Sequence, residues 1–245
     1  MFKSSSRRRE RRLKKNDSGI NHWIVDFDRV LSRQPGHVSL NEKADLAHTP
    51  RGEFATRYWM FRGIYEEGCS ALAYWSRVLD RTVTSQDGLV KLLIAADTLA
   101  STQLDFSVLN ALEDAHSTGI GLTLTSAAPH EQARAIRRFK VLNHFTNMFF
   151  SSELGLLKAD PLFYPTVLEL ISAGPGQTSI IDTAADNLAT ARLTGMHTRE
   201  YRQPTDLAVG IPPDRKPVEA TQEERPKGAL TIFSLFSLTS LEHRP

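Results

Sequence analysis

Two aspartates with one residue between them, Asp26 and Asp28, interrupt the apolar run "HWIVDFDRVL" at residues 22–31. Ile24, Val25, Phe27, Val30 and Leu31 favour burial, so two carboxylates among them need a reason. Such a pair could act as nucleophile and general acid–base, or offer oxygen ligands to a hard cation. It could also do no more than cap a turn. Three further stretches carry groups that would complete a site. "GLTLTSAAP" ends an apolar run in Thr125 and Ser126, "GLLKADPLFY" carries Lys158, and "SIIDTAADN" ends in Asp182, with Asp186 four residues on. Carboxylates, a hydroxyl and a lysine converging on one face would suit a divalent cation and a phosphoryl group. Plainer roles stay open for each: Ser126 could cap the helix after it, Lys158 could be a surface lysine, and Asp186 could be an N-cap. Asn187 reads as structural.

The elements that would position these groups are read from periodicity. "NHWIVDFDRVL" is too apolar for a strand with one solvated face and reads as a buried strand. From about residue 52 to 115 apolar residues recur at helical spacing (Phe54, Tyr58, Phe61, Tyr65, then Leu72, Trp75, Leu79), with Ser85 as an N-cap and Gly119 as a stop. Its aromatic residues Tyr58, Trp59, Phe61, Tyr65, Tyr74 and Trp75 could pack together or line an apolar pocket. Beyond it, "GIGLTLTSA" is β-rich, and "PHEQARAIRRFKVLNHF" reads as a helix opened by Pro129. "NMFFSSELG" is a strand or edge, "DPLFYPTVLELISAG" a helix, "QTSIIDTA" a strand, "ADNLATARLTG" a helix and "MHTREYR" a last short strand. Strands alternating with helices predict an α/β fold with a parallel sheet, whose ligands bind beyond the carboxyl ends of the strands. The helical block interrupts that alternation after the first strand, as an inserted cap would.

Composition narrows the class. The 245 residues are 40% hydrophobic and 24% charged, ordinary for a globular protein. Eight of the 30 basic side chains lie in residues 1–20, beside Glu10 and Asp17; the rest of the chain is mildly acidic. That argues against a nucleic-acid-binding face. The leader lacks the apolar stretch of a secretory signal and is expected to be disordered, with nuclear import as a second use. The single cysteine, Cys69, leaves no internal disulfide framework or CxxC metal site. No apolar run approaches the ~18 residues of a membrane span, so a cytoplasmic location without membrane partners is expected. Oligomeric state is not legible.

Taken in order, the quoted segments resemble the haloacid dehalogenase-like (HAD) hydrolase superfamily over residues about 20 to 200. "IVDFDRVL" looks like its Asp-x-Asp motif, and "LTLTSAAP" is similar to its strand ending in Ser or Thr. "GLLKADPLFYPTVLELI" is similar to its lysine segment, and "SIIDTAADNLATARLTGM" to its last acidic motif. The resemblance implies a Rossmann-like α/β core with a parallel sheet (21–40 and 118–204) and an inserted α-helical cap (41–117). A basic leader (1–20) and a Pro- and charge-rich, poorly ordered tail (205–245) would flank them.

It also implies a Mg²⁺-dependent phosphatase acting on a small phosphorylated metabolite. Asp26 would be the nucleophile and Asp28 the acid–base group. Ser126 and Lys158 would hold the phosphoryl oxygens. Asp26, the Asp28 carbonyl and Asp182, helped by Asp186, would bind Mg²⁺. Arg29, Trp59 and Tyr65 are candidates for substrate contact. Departures from the pattern are Arg29 where glycine is frequent, Ala127 after Ser126, Ala159 in place of a frequent proline, and Thr183 in place of a second acid. Alternatives implied by the same resemblance are a 2-haloacid dehalogenase-like activity, terpene-diphosphate processing, or a decayed fold kept as a binding or regulatory protein.

Overall fold

Five short strands form one sheet in which every neighbouring pair is parallel, in the order β3-β2-β1-β4-β5. They are β1 (His22–Asp26), β2 (Gly121–Ser126), β3 (Asn147–Phe150), β4 (Thr178–Asp182) and β5 (His197–Glu200). The computed structural model describes residues 19–32, 37–100 and 103–208. The side-chain period of two decides what each face of the sheet touches. Trp23 and Val25 of β1 and Ile181 of β4 join one cluster, with Val108, Leu112 and Ala115 of α6 (Phe106–Ser117) and Ala133 and Ile136 of α7 (His130–Ile136). Ile24 and Ile180 point the other way. They meet Phe163, Tyr164 and Val167 of α9 (Phe163–Leu170) and Leu188 and Ala191 of α10 (Ala185–Leu193). The sheet is thus buried on both faces, which explains why β1 and β4 read as nearly continuous apolar runs.

Between β1 and β2 the chain forms α1 (His37–Leu46), α2 (Arg51–Met60), α3 (Arg62–Glu66), α4 (Ala71–Val78), α5 (Gly88–Ala100) and then α6. The first five build a hydrophobic cluster of their own from Phe54, Tyr58, Tyr65, Tyr74, Trp75, Val78 and Leu93. Tyr65 and Tyr74 stack with ring centroids 4.2 Å apart, and Tyr58 meets Tyr74 edge-on. This aromatic core is what the helical spacing of the insertion encodes. No helix of the described residues is long and apolar enough to cross a membrane.

Several boundaries differ from the sequence reading. The helix expected to run from Pro129 stops at Ile136, and a 3-10 turn follows at Lys140–Leu142. The break redirects the chain so that Leu142 and Phe145 reach the core. In "NMFFSSELG" the strand ends at Phe150, and Ser151–Leu154 form a short helix, α8, closed by Gly155 at φ 66°. Order extends past residue 204 as well. Pro204–Leu207 form a 3-10 turn whose Asp206 carboxylate accepts from the backbone N–H groups of Arg202 and Gln203, and Leu207 is buried. Residues 205–207 of the expected tail therefore belong to this turn. At the other end Ile20, assigned to the leader, is buried in the core. The remainder of the expected leader and tail, residues 1–18 and 209–245, lies outside the described residues.

The insertion is tied to the core by a buried charge network that the sequence did not announce. Asp97 of α5 is 3% exposed. Its Oδ1 accepts from Lys43 Nζ at 2.8 Å and from the Tyr58 hydroxyl at 2.5 Å. Its Oδ2 accepts from Arg62 Nη1 at 2.8 Å and from Nε2 of Gln132, on α7 of the core, at 3.0 Å. Burial alone would raise the Asp97 carboxyl, but Arg62, Lys43 and these hydrogen bonds hold it down at about 2. Because this folded value lies below the ordinary 3.8, the stabilisation is present above that pH and fades as pH falls toward 2. Asp97→Asn leaves two buried cations underpaired and is expected to cost about 3 kcal/mol in urea unfolding at neutral pH. The gap from the native protein should narrow below about pH 4. A neutral-pH loss under about 0.5 kcal/mol would show that the network is not structural.

Candidate active site

The strand order reverses between β1 and β4: from β1 the chain builds outward through β2 and β3, then crosses back to place β4 and β5 on the other side. A crevice opens at such a reversal beyond the carboxyl ends of the two strands. Asp26 ends β1 and Asp182 ends β4, and the register pairs Val25 with Ile181, so the two aspartates stand side by side there. Lys158, in the loop after α8, reaches both. Its Nζ lies 2.5 Å from Asp26 Oδ1 and 3.2 Å from Asp182 Oδ2. All three side chains are at most 4% exposed.

One ammonium thus faces two buried carboxylates. Burial, reinforced by Asp182, pushes the Asp26 carboxyl well above the usual range, and Lys158 only partly offsets this. Burial would lower the Lys158 ammonium, yet Asp182 and Asp26 hold it well above its ordinary value, so it stays charged. Asp182 is fixed further by Ala184 N–H, which donates to Oδ1 at 2.7 Å, and by Asn187 Nδ2, which donates to Oδ2 at 2.9 Å.

Asp28 enters from a wide turn, Phe27–Leu31, in which Ser32 N–H closes back on the Phe27 carbonyl at 2.8 Å. Asp26 caps this turn by accepting from Asp28 N–H at 3.2 Å, so it both caps and pairs with Lys158. The Asp28 carboxylate points toward β2, where Oδ2 accepts from Ser126 Oγ at 2.8 Å and Ala127 N–H at 3.0 Å. Ser126 therefore neither caps α7 nor stands apart as a phosphate ligand in this arrangement; it orients the second carboxylate. Loss of a side-chain amide at Ala127 leaves the backbone donor in use.

The structure brings together Asp26, Asp28, Ser126, Lys158 and Asp182. It does not bring Asp186, which is exposed in the first turn of α10, where its carbonyl accepts from Thr190. Tyr65 is buried in the aromatic core of the insertion, and its hydroxyl donates to Glu131. Trp59 is 63% exposed and packs edge-on against Tyr58. The Tyr65 ring is therefore closed off from any pocket, whereas the Trp59 ring stays open to solvent. Asn187, read as structural, touches the site through Asp182; its place one turn into the helix after that strand was the available signal.

A cation would need oxygen donors here. Among the described residues no group of three His, Cys, Asp or Glu side chains is arranged to hold a metal ion by itself. Magnesium, however, is commonly held by one or two carboxylates and keeps several waters. Asp26 and Asp182 meet that description, and the next residue, Thr183, has a buried Oγ1 without a hydrogen-bond partner. The donor set fits.

Arg29 is exposed and sits at φ 65°, ψ −4°, the left-handed region where a side chain costs about 1 kcal/mol relative to glycine. The frequent glycine of the resembled motif thus has a backbone reason in this turn. Arg29→Gly is expected to raise unfolding stability by about 1 kcal/mol in chemical denaturation. A loss of similar size would mean that the arginine side chain stabilises the turn by more than its backbone strain costs.

No family model matches the sequence, and no curated protein matches it. Solved structures do match. A HAD family enzyme from Bacteroides thetaiotaomicron aligns with a TM-score of 0.63 at 18% identity over 75% of this chain and 94% of its own. The same enzyme in complex with magnesium and inorganic phosphate aligns at 0.62, again with 18% identity and 75% and 94% coverage. A 2-haloacid dehalogenase from Pseudomonas syringae aligns at 0.56, with 16% identity over 74% of this chain and 86% of its own. With its five parallel strands and the helical block after the first of them, this chain has the fold of the HAD-like hydrolases.

Proposed function

We propose that the protein is a Mg²⁺-dependent phosphatase of the HAD type, acting on a small phosphorylated metabolite through an aspartyl-phosphate on Asp26. The observation that carries this reading is the division of labour between the two aspartates. Asp26 shares Lys158 with Asp182, while Asp28 is held apart by Ser126 and Ala127. A nucleophile beside a fixed ammonium, with a separately oriented second carboxyl, is what phosphoryl transfer to oxygen and back to water requires. The solved relative that binds magnesium and inorganic phosphate supports the same ligand class.

In this reading an Asp26 oxygen attacks phosphorus, and the departing oxygen takes a proton from Asp28. Asp28, now ionised, then removes a proton from the water that attacks the phosphoryl group on Asp26. Lys158 lowers repulsion between Asp26 and the anionic substrate and balances charge on the phosphoryl oxygens. Asp26, Asp182 and the Asp28 carbonyl would hold Mg²⁺, which would supply charge stabilisation at the same oxygens. The helical insertion, docked over the carboxyl ends of the strands through Arg62–Gln132 and Tyr65–Glu131, serves as the cap that selects the substrate. Asp28 is the group that weighs against the dehalogenase alternative, because displacement of halide at carbon has no leaving oxygen to protonate.

Hydrolysis of p-nitrophenyl phosphate with Mg²⁺ tests the reading. Asp26→Asn is expected to abolish turnover, and Asp28→Asn to lower kcat by about 10²- to 10⁴-fold. Activity unaffected by Asp26→Asn, or no hydrolysis across a panel of phosphate monoesters, overturns the phosphatase assignment. Metal-independent chloride release from 2-chloropropionate that requires Asp26 would establish the dehalogenase in its place.

A further inference from the structure

One acidic side chain of the helical insertion reaches the same end of the sheet as the aspartates. α3 lies between two segments that border the site. The carbonyl of Glu66, its last residue, accepts from Ser151 Oγ at 2.6 Å. Ser151 directly follows β3, whose final residue Phe150 is paired with Ser126. Earlier in α3, a Cβ placed on Gly63 would lie 3.8 Å from Cδ1 of Leu157, the neighbour of Lys158. The turn after α3 presses closer still: at Gly68, with φ +109°, a Cβ would fall 2.7 Å from the Ser152 carbonyl oxygen. Close backbone approach at Gly68 and ordinary contact at Gly63 fix α3 beside the strand end that carries Ser126 and the loop that carries Lys158.

On this fixed helix Glu66 is partly buried, its side chain 21% exposed. Oε1 accepts from Arg62 Nε at 2.7 Å, while Oε2 has no partner among the described residues. All three nitrogens of the Arg62 guanidinium are engaged. Its other nitrogens donate to Asp97, the Tyr58 hydroxyl and Gln132. Burial raises the Glu66 carboxyl and Arg62 pulls it back, while Asp28 and Lys158 stand near enough to act on it as charges.

Building on the phosphatase reading, we propose that Glu66 contacts the leaving group of the substrate, and that this leaving group carries hydroxyl or ammonium donors rather than a second anion. A carboxylate only accepts, so its open oxygen needs an N–H or O–H from the substrate. A carboxylate or second phosphate at that point would meet the Glu66 charge, and the Arg62 beside it is already paired with Glu66 and Asp97. The substrate class is therefore a phosphate monoester of an amino alcohol or polyol.

The test is steady-state hydrolysis, with Mg²⁺, of O-phosphoethanolamine, glycerol 3-phosphate, 2-phosphoglycolate and p-nitrophenyl phosphate. Glu66→Gln keeps an acceptor for Arg62 Nε, and Glu66→Asp keeps the charge but shortens its reach. The native protein is expected to prefer the two donor-bearing esters to 2-phosphoglycolate. Either variant should raise KM for the donor-bearing esters about tenfold, with kcat/KM on p-nitrophenyl phosphate changed less than about twofold. Only Glu66→Gln should also improve 2-phosphoglycolate. Equal loss on all four esters, or no change on any, overturns the role of Glu66 and leaves the Asp26-dependent phosphatase standing. Absence of Asp26-dependent hydrolysis on every ester overturns both.

Discussion

Lys158 between Asp26 and Asp182 is the interaction on which the site depends. Two carboxylates at the ends of adjacent parallel strands, both cut off from solvent, repel each other and lose hydration. A single buried ammonium relieves part of that cost and in return is kept charged by both. When both aspartates are ionised the cluster carries one negative charge in excess, a state that burial opposes at Asp26. Such an arrangement is expensive for stability, and buried clusters of this kind are found where proteins do chemistry.

The remaining architecture follows from holding that cluster in place. The reversal of strand order between β1 and β4 sets the two aspartates side by side, and burial of both sheet faces keeps the strands rigid beneath them. Asp182 is locked by Ala184 and Asn187, and Asp28 by Ser126 and Ala127, so each carboxylate has a defined orientation before any substrate arrives. Above them the insertion carries its own aromatic core and meets the sheet layer through polar contacts, with Asp97 as their hub. The insertion's packing is thus separate from that of the sheet.

Much of this was legible in the sequence because it depends on local pattern. Continuous apolar runs ending in Asp26, Ser126 and Asp182 specify buried parallel strands with polar tips, and Lys158 stood out by its setting in "GLLKADP". Arg29 stood out as a departure where the resembled motif has a frequent glycine, and its left-handed backbone supplies the physical reason. Less was legible where the outcome rests on long-range geometry. Asp186 and Asn187 are adjacent in sequence, and only the helix direction sends Asn187 to Asp182 and Asp186 to solvent. Tyr65 had the composition of a pocket wall, but stacking on Tyr74 and bonding to Glu131 bury it. Lys43, Arg62, Asp97 and Gln132 carry no signal at all, being separated by up to 89 positions and joined only in the folded chain. Glu66 is of the same kind.

Asp26 and Asp182, at the ends of adjacent strands, are proposed to hold a divalent cation. Calorimetric titration of the protein with Mg²⁺ tests it most directly. The account expects one ion per chain, with binding lost in Asp182→Ala and at least tenfold weaker in Asp26→Asn, since each supplies one of the two carboxylates that hold the ion. Absence of binding, or an affinity that neither substitution changes, would contradict it and leave the cluster as a structural ion pair.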